Sequence, residues 1–479
     1  RLIRGRSSPG ATGAAESYKE SGPARPGDEI FMREIVEHII SGFEAGEDPV
    51  QRRIGAELKF PMVNADGTVA TREKVVGLWH FLAERGWTVT PDGDGPPVGA
   101  TQPGPQNETI ASCETGYPKT EFSLAHVGDL FELEEAVGRL RETLRDYSEA
   151  AGVSFIGYGI VPADRPRGEL LHGGERTVVW DTIFGANRVI PPEDGDDVAL
   201  FTINAASHVH VSVHRDEAIP ALNAINGFSG PQIALTADSN IWKGLPDGQY
   251  KCVAEKLWDW WMPDSGRVGV PRRPFESLRD YAAAFAELRP VYVRREGRPV
   301  LLSPYESLHD YFADAEPAGV TLDGETVPLA PAPEDIDLHT RCCWHNARLT
   351  RFHTVENRLN DQQPPEDLLT ISAMTLGLVE AVDEAAEELA AHDWDDLRAG
   401  RETACRHGLD PHGGVNKQPE LAGRLLEIVR AGLGKRGRGE ERFLQPLEER
   451  LRAGRCPADQ ATDLYEWGGV EALVAGRAL

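Results

Sequence analysis

The stretch Arg351-Phe-His-Thr-Val-Glu-Asn-Arg-Leu-Asn-Asp361 decides how this chain is read. It falls in a strand predicted over Arg348–Leu359, and side chains on a strand alternate between faces. Glu356 and Arg358 therefore share one face, and Val355 and Asn357 the other. That face pairs an acid able to hold a hard cation with an arginine whose fork fits a phosphate or carboxylate. Taken singly, a Glu-x-Arg pair is an ordinary solvated ion pair. It gains meaning because three other segments repeat the pattern.

Gly55-Ala-Glu-Leu-Lys-Phe60 sets Glu57 and Lys59 on one side of a strand. Cys113-Glu-Thr-Gly-Tyr-Pro-Lys-Thr-Glu-Phe122 places Glu114 and Glu121 on the two arms of a tight turn. Ala206-Ser-His-Val-His-Val-Ser-Val213 presents His208 and His210 together. Apolar residues fill several alternate positions, as a half-buried sheet requires. Converging carboxylates repel one another and desolvate badly unless a cation joins them. Several acids with a histidine point to Mg²⁺ or Mn²⁺ in a phosphate-rich site, the setting of ATP-driven phosphoryl transfer. The chain has neither a Gly-x-x-x-x-Gly-Lys-Ser/Thr phosphate loop nor a Gly-x-Ser-x-Gly elbow. ATP would then be held by metal and basic side chains. Two other readings stay open: a zinc-dependent hydrolase on His208, His210 and His214, and an ATP-binding pseudo-enzyme disabled at Lys59.

Composition narrows the classes. The chain has 479 residues, 50 Lys+Arg against 77 Asp+Glu and a formal net charge of −27. That charge argues against nucleic acid or an anionic membrane as partner. Cys113, Cys252, Cys342, Cys343, Cys405 and Cys456 form no Cys-x-x-Cys motif and fit a reducing, cytoplasmic setting. No apolar run is long enough for a membrane span. Residues 1–27, rich in Gly, Ser, Arg and Pro, are expected to be a disordered arm.

Helical spacing of apolar residues predicts helices over Glu29–Phe43, Thr71–Gly86, Leu130–Ala150, Asp216–Phe228, Pro231–Ser239 and Pro365–His392. Further helices are expected at Pro419–Leu433, Glu440–Arg452 and Pro457–Tyr465. Strands are predicted over Arg53–Phe60, Thr109–Glu114, Lys119–Leu124, Val153–Pro162 and Ala199–Val213. Pro91–Pro105 and Gly244–Gly248 read as loops, and Pro263–Pro333 as irregular with a short helix near Ser277–Phe285. The expected class is α+β, with a catalytic domain over 28–394 and a C-terminal helical subdomain over 395–479.

In this order the segments resemble the glutamate–cysteine ligase family, in its carboxylate–amine ligase branch. The resemblance runs from about Arg53 to Gly469 and includes Ala234–Gly244, Arg406-His-Gly-Leu-Asp410, Trp344 with Arg348, and Thr354-Val-Glu-Asn-Arg-Leu-Asn-Asp361. It implies a glutamine-synthetase-like core, a curved antiparallel sheet forming a partial barrel with helices outside. It implies ATP-dependent amide formation through an acyl phosphate, from small-molecule substrates such as glutamate and cysteine or from a specialised pair, by a monomer or homo-oligomer. By the same resemblance Glu57, Glu114, Glu121, His208 and Glu356 are metal ligands, Arg358 binds the transferring phosphate, and Arg348 is a second phosphate or carboxylate ligand. The chain departs from the family at Lys59, where a second acid is usual. Its ammonium would supply charge that a metal otherwise brings. The chain also lacks the arginine usual after the Gly-Tyr pair, for which Lys251 or Lys256 is the substitute on offer, without the bidentate fork.

Overall fold

Ile54–Val63 (β1) forms the central strand because its alternation is strict where it matters. Ile54, Ala56, Leu58 and Phe60 are buried on one face, and Gly55, Glu57 and Lys59 take the other. The computed structural model describes residues 28–44, 51–92, 95–104, 107–172, 175–183, 189–262 and 265–479, so the arm predicted over 1–27 lies outside the described residues.

Eight more strands join β1: Thr88–Asp92 (β2), Gly95–Gln102 (β3), Thr109–Cys113 (β4), Lys119–Ser123 (β5), Ser154–Phe155 (β6), Ala206–Ser212 (β7), Ala347–Thr350 (β8) and Thr354–Asp361 (β9). The order is β8-β9-β7-β1-β5-β4-β3-β2, with β6 paired to β1, every pairing is antiparallel, and the sheet does not close. This is the expected α+β architecture.

Helices cover one face. Arg72–Glu84 (α2) is capped by the Thr71 side chain and buries Val75, Leu78, Trp79 and Leu82. Leu130–Ala151 (α3) is capped by Asp129 and buries Leu133, Val137, Leu140 and Leu144. Both join the β1 residues in one apolar core, with Ala218–Gly227 (α4), Ser229–Thr236 (α5) and Thr370–Glu380 (α7). The other face bounds a cavity closed partly by Asp28–Glu44 (α1) and Val253–Trp261 (α6).

The C-terminal helices Trp394–His407 (α8), Gln418–Arg436 (α9) and Pro457–Arg477 (α10) pack on the same core. Ala404, Leu425 and Ala458 belong to the cluster that contains Phe60. α7 and α9 cross at two glycines. A Cβ added to Gly432 would sit 2.0 Å from the Gly377 carbonyl oxygen, so only glycine permits that approach.

Several segments differ from the sequence expectation. The strand expected over Arg348–Leu359 is a hairpin: β8 and β9 flank a turn in which His353 has φ 52°. Pro91–Pro105 was expected as a loop, and its described part holds strand pairing between β2 and β3. Pro91 lies on β2, the sheet's outer edge, and Pro96 and Pro97 lie on the end of β3 beyond its pairing with β4, where proline is tolerated. Gly99 lets β3 close on β4, because a Cβ there would lie 2.3 Å from the Ala111 carbonyl oxygen. Within Pro263–Pro333 stands a second antiparallel sheet of Tyr292–Arg295, Arg298–Leu301, Ala318–Thr321 and Thr326–Pro328. Of Val153–Pro162 only β6 is strand, and the first part of Ala199–Val213 is a 3₁₀ turn, Asp197–Thr202. The helix expected over Pro365–His392 starts at Thr370 and breaks at Ala381.

Candidate active site

Cross-strand register assembles the site. Lys59 pairs with Glu121, Glu57 with His208, His210 with Glu356, and Glu356 with Arg348. Directly opposed residues share a face, so one row of charged groups crosses β5, β1, β7, β9 and β8. Glu114 joins it from the turn after β4, where its backbone N–H donates to the Lys119 carbonyl. On the far face Asn357 donates to Gln232 and Thr375, as the alternation requires. A bulge in β9 between Asn357 and Asn360 disturbs the pairing with β7 beside Arg358. Bulges of this kind commonly re-aim side chains next to active sites.

The row faces a cavity of about 1330 Å³. Its centre is Glu57, whose carboxylate lies 3.1 Å from His208 Nδ1 and 3.0 Å from His210 Nε2. Glu356 is 1 % exposed and accepts from Arg348 Nε at 2.5 Å and from Arg358 Nη1. Ligand atoms of Glu57, His208 and Glu356 lie within 4.8 Å of one another, the one such trio among the described residues. Lys59 Nζ stands 3.0 Å from Glu121 and 4.0 Å from Glu114.

Electrostatics splits the acids. Burial opposes ionisation of Glu57, but Lys59 and the two imidazoles outweigh it and hold the carboxyl well below the usual range. Glu356 is likewise held low against burial by Arg358 and Arg348. Glu114 is held low against burial by Lys119 and its neighbours. Burial pushes Glu121 up to about 8, against Lys59 and with help from Glu114. Burial, Lys59 and Arg358 lower His208 to about 3, so its ring is neutral and can offer a lone pair. His210 is raised: burial opposes its charge, but Glu356 and Glu57 win.

Glu57, Lys59, Glu114, Glu121, His208, Arg348, Glu356 and Arg358 thus all line one cavity. Lys251 does not. Its backbone N–H donates to the Cys405 carbonyl, and its ammonium is held at 2.6 Å by Asp459 of α10. Lys256 is also away from the cavity, paired with Asp259 and Glu402. His214 sits exposed beyond the end of β7, its backbone bonded to Glu217, so the three histidines form no common centre.

Two groups escaped the sequence reading. Lys119 shares the parity of Glu121 on β5, a signal that was there to find. Its ammonium is fixed by the Phe201 carbonyl at 3.0 Å and by Asn204 Oδ1 at 3.1 Å. Asn204 comes from an irregular segment that carries no pattern. A wall of Trp180, Phe201, Trp258, Trp261 and Trp344 lines the cavity, with Trp258 stacked on Trp344 at 5.6 Å.

The model of "Glutamate-cysteine ligase family 2" matches residues 105–476. A putative glutamate–cysteine ligase 2-2 of Frankia alni is 27 % identical over 233 residues, 47 % of this chain and 53 % of that protein, so the chain matches about half its length. The chloroplastic glutamate–cysteine ligase of Nicotiana tabacum is 23 % identical over 467 residues, 92 % of this chain and 81 % of that protein. The fold is shared with a crystal structure of glutamate–cysteine ligase from Francisella tularensis in complex with AMP, at TM-score 0.52 and 10 % identity. The shared part covers 89 % of this chain and 87 % of that one. With the family matched from residue 105 into α10, and with β4, β5, β7, β8 and β9 within the match, this chain belongs to glutamate–cysteine ligase family 2, a family of ATP-dependent ligases.

Proposed function

We propose that this chain is an ATP- and Mg²⁺-dependent carboxylate–amine ligase acting on small molecules, with Mn²⁺ able to substitute. Glu356 carries the reading. It is a buried carboxylate gripped by two arginines and grouped with Glu57 and His208 at the cavity wall. Two carboxylates and one neutral imidazole suit a hard divalent ion that keeps water and phosphate oxygens in its remaining positions. Bound there, the ion would neutralise phosphate charge during transfer.

The chain's own groups do the rest. Arg348 and Arg358 stand at the cavity with side chains 28 % and 15 % exposed, so both forks can swing from Glu356 to a phosphate or carboxylate. The proposed reaction has two steps. A substrate carboxylate oxygen attacks the γ-phosphorus of ATP, the bond to ADP breaks, and an acyl phosphate forms. The amine nitrogen then attacks the acyl carbon, phosphate leaves, and the amine gives up a proton. The tryptophan-rich wall keeps water low around an intermediate that water would destroy. Glutamate and cysteine are the first substrates to test, after the names of the relatives.

A panel of carboxylates and amines, followed by ADP release, tests this reading. ADP is expected only when the right acid and amine are present together. Tight ATP binding with no ADP from any pair would overturn the reading, as would bound zinc with no affinity for ATP.

A further inference from the structure

Lys59 stands where the two halves of the charged row meet, and it is 4 % exposed. Its ammonium lies 3.0 Å from Glu121, 3.2 Å from Glu57 and 3.0 Å from His208 Nδ1, with Glu114 at 4.0 Å. Lys119 closes the same half from the other side. Its ammonium is 3.8 Å from Glu114 and is tethered by two further acceptors. Both acids of this half thus already have a buried ammonium as partner.

The half around Glu356 is built differently. Its cations are arginines on long, partly exposed stems, free to transfer to an incoming anion and release the carboxylate. Lys59 has no such exit. A divalent ion between Glu114 and Glu121 would take the carboxylate lone pairs that the ammonium now uses. It would also sit a few ångströms from a like charge in a poorly solvated place. With the ion there Lys59 would keep only Glu57 and His208, and the buried Lys119 ammonium beside Glu114 would crowd the ion as well. At Glu57, His208 and Glu356 the ion meets one ammonium instead of two: Lys59 touches Glu57 and His208 but keeps Glu121 when they turn to a metal, and the Lys119 ammonium lies against Glu114.

We infer that Lys59 is the resident cation of the Glu114–Glu121 half, so that the chain holds a single divalent ion, on Glu57, His208 and Glu356. Glu114 and Glu121 are then positioning residues that hold an ammonium. The inference rests on the metal-dependent reading above and deepens it.

Titration of the full chain with Mn²⁺ alone, read by the paramagnetic resonance signal of the free ion, tests it. The wild type should bind about one ion in a single class. Glu121→Gln should leave that affinity within about threefold, whereas Glu356→Gln should weaken it by about tenfold or more. Lys59→Glu should raise the count to about two. If Lys59→Glu fails to fold, the Glu121→Gln and Glu356→Gln comparison decides alone. Two equivalent ions on the wild type would overturn the inference while leaving the ligase reading intact. A tenfold loss with Glu121→Gln, or no added ion in a folded Lys59→Glu variant, would overturn it equally. No Mn²⁺ bound at all would overturn both the inference and the metal-dependent reading.

Discussion

Replacing Glu356 with glutamine separates the two jobs of this carboxylate. In the ligand-free protein it accepts charge-assisted hydrogen bonds from Arg348 and Arg358. Such bonds contribute about 1.5–3 kcal/mol each, so the gross loss would be about 3–6 kcal/mol. Two features of the site shrink that figure. The glutamine amide oxygen still accepts from one guanidinium, and both arginines reach solvent and rehydrate. The net cost to stability is about 2 kcal/mol, small enough for a chain of this size to stay folded.

The effect on turnover is far larger. The substitution removes a proposed metal ligand, a change worth about 10- to 100-fold in metal affinity. It also releases Arg348 and Arg358 from their resting partner, which should cost about another tenfold through misplacement of the phosphate. ADP release at subsaturating Mg²⁺ is therefore expected to fall by at least about a hundredfold. Thermal unfolding without ligands should still show a cooperative transition. Turnover within about threefold of wild type would refute the placement of Glu356 at the reacting phosphate.

Three other substitutions probe the remaining structure. Lys251→Met should leave the KM for ATP unchanged and cost only about 0.5 kcal/mol, because its partner is Asp459 and the pair is partly exposed. A fivefold rise in that KM would return Lys251 to the nucleotide site. His339 is buried against the Phe285 carbonyl, and burial with Arg267 lowers it to about 3. The unfolded chain then binds a proton that the native one does not, so stability is full above about pH 6.5 and falls as pH drops toward 3, by up to about 1.4 kcal/mol per unit. His339→Gln should flatten that acid loss in denaturant titrations, and an unchanged pH slope would argue against a neutral native His339. Gly432→Ala forces α7 and α9 apart and should cost about 1–3 kcal/mol. If the C-terminal helices are part of the catalytic unit, that variant should still unfold in one transition at lower denaturant. A separate early transition confined to helix signal would show an independent subdomain.

What was legible in the sequence follows from which forces act locally. β1, β5, β7 and α3 could be read because their apolar residues repeat with the period of the element, and burial of one face enforces that period. Glu57, Glu121, His208 and Glu356 were legible for the same reason: each is the polar alternate in a strand whose other face is core. The hairpin of β8 and β9 was not, because its turn depends on a left-handed His353 that has no glycine to announce it. Its ring stacks on Phe43 of α1 at 4.8 Å, a contact made from a remote part of the chain. The edge strand β2 and its neighbour β3 hid behind prolines and glycines that are unusual in strands, the prolines being acceptable on an open edge or beyond the paired stretch. Lys251 misled because proximity in sequence to a motif says nothing about which side of a helix layer a side chain takes, and Asp459 decided that from α10.

Lys59 shows how far such reading can go. Parity alone placed it beside Glu57 on the cavity face, and its departure from the family's usual acid marked it as odd. Parity could not say whether an ammonium there blocks the site, completes it or is merely tolerated. That depends on distances to groups on three other strands and on Lys119, which has the same parity as Glu121. Taken together, the two lysines turn an apparent defect into a half-site whose acids already hold cations. The acids that looked like a single ligand set divide by their cations: Glu356 faces two partly exposed arginines that a phosphate can draw off, Glu57 shares one buried lysine with Glu121, and Glu114 lies between two buried lysines. The count of bound ions is therefore a property of side-chain exposure as much as of how many acids converge.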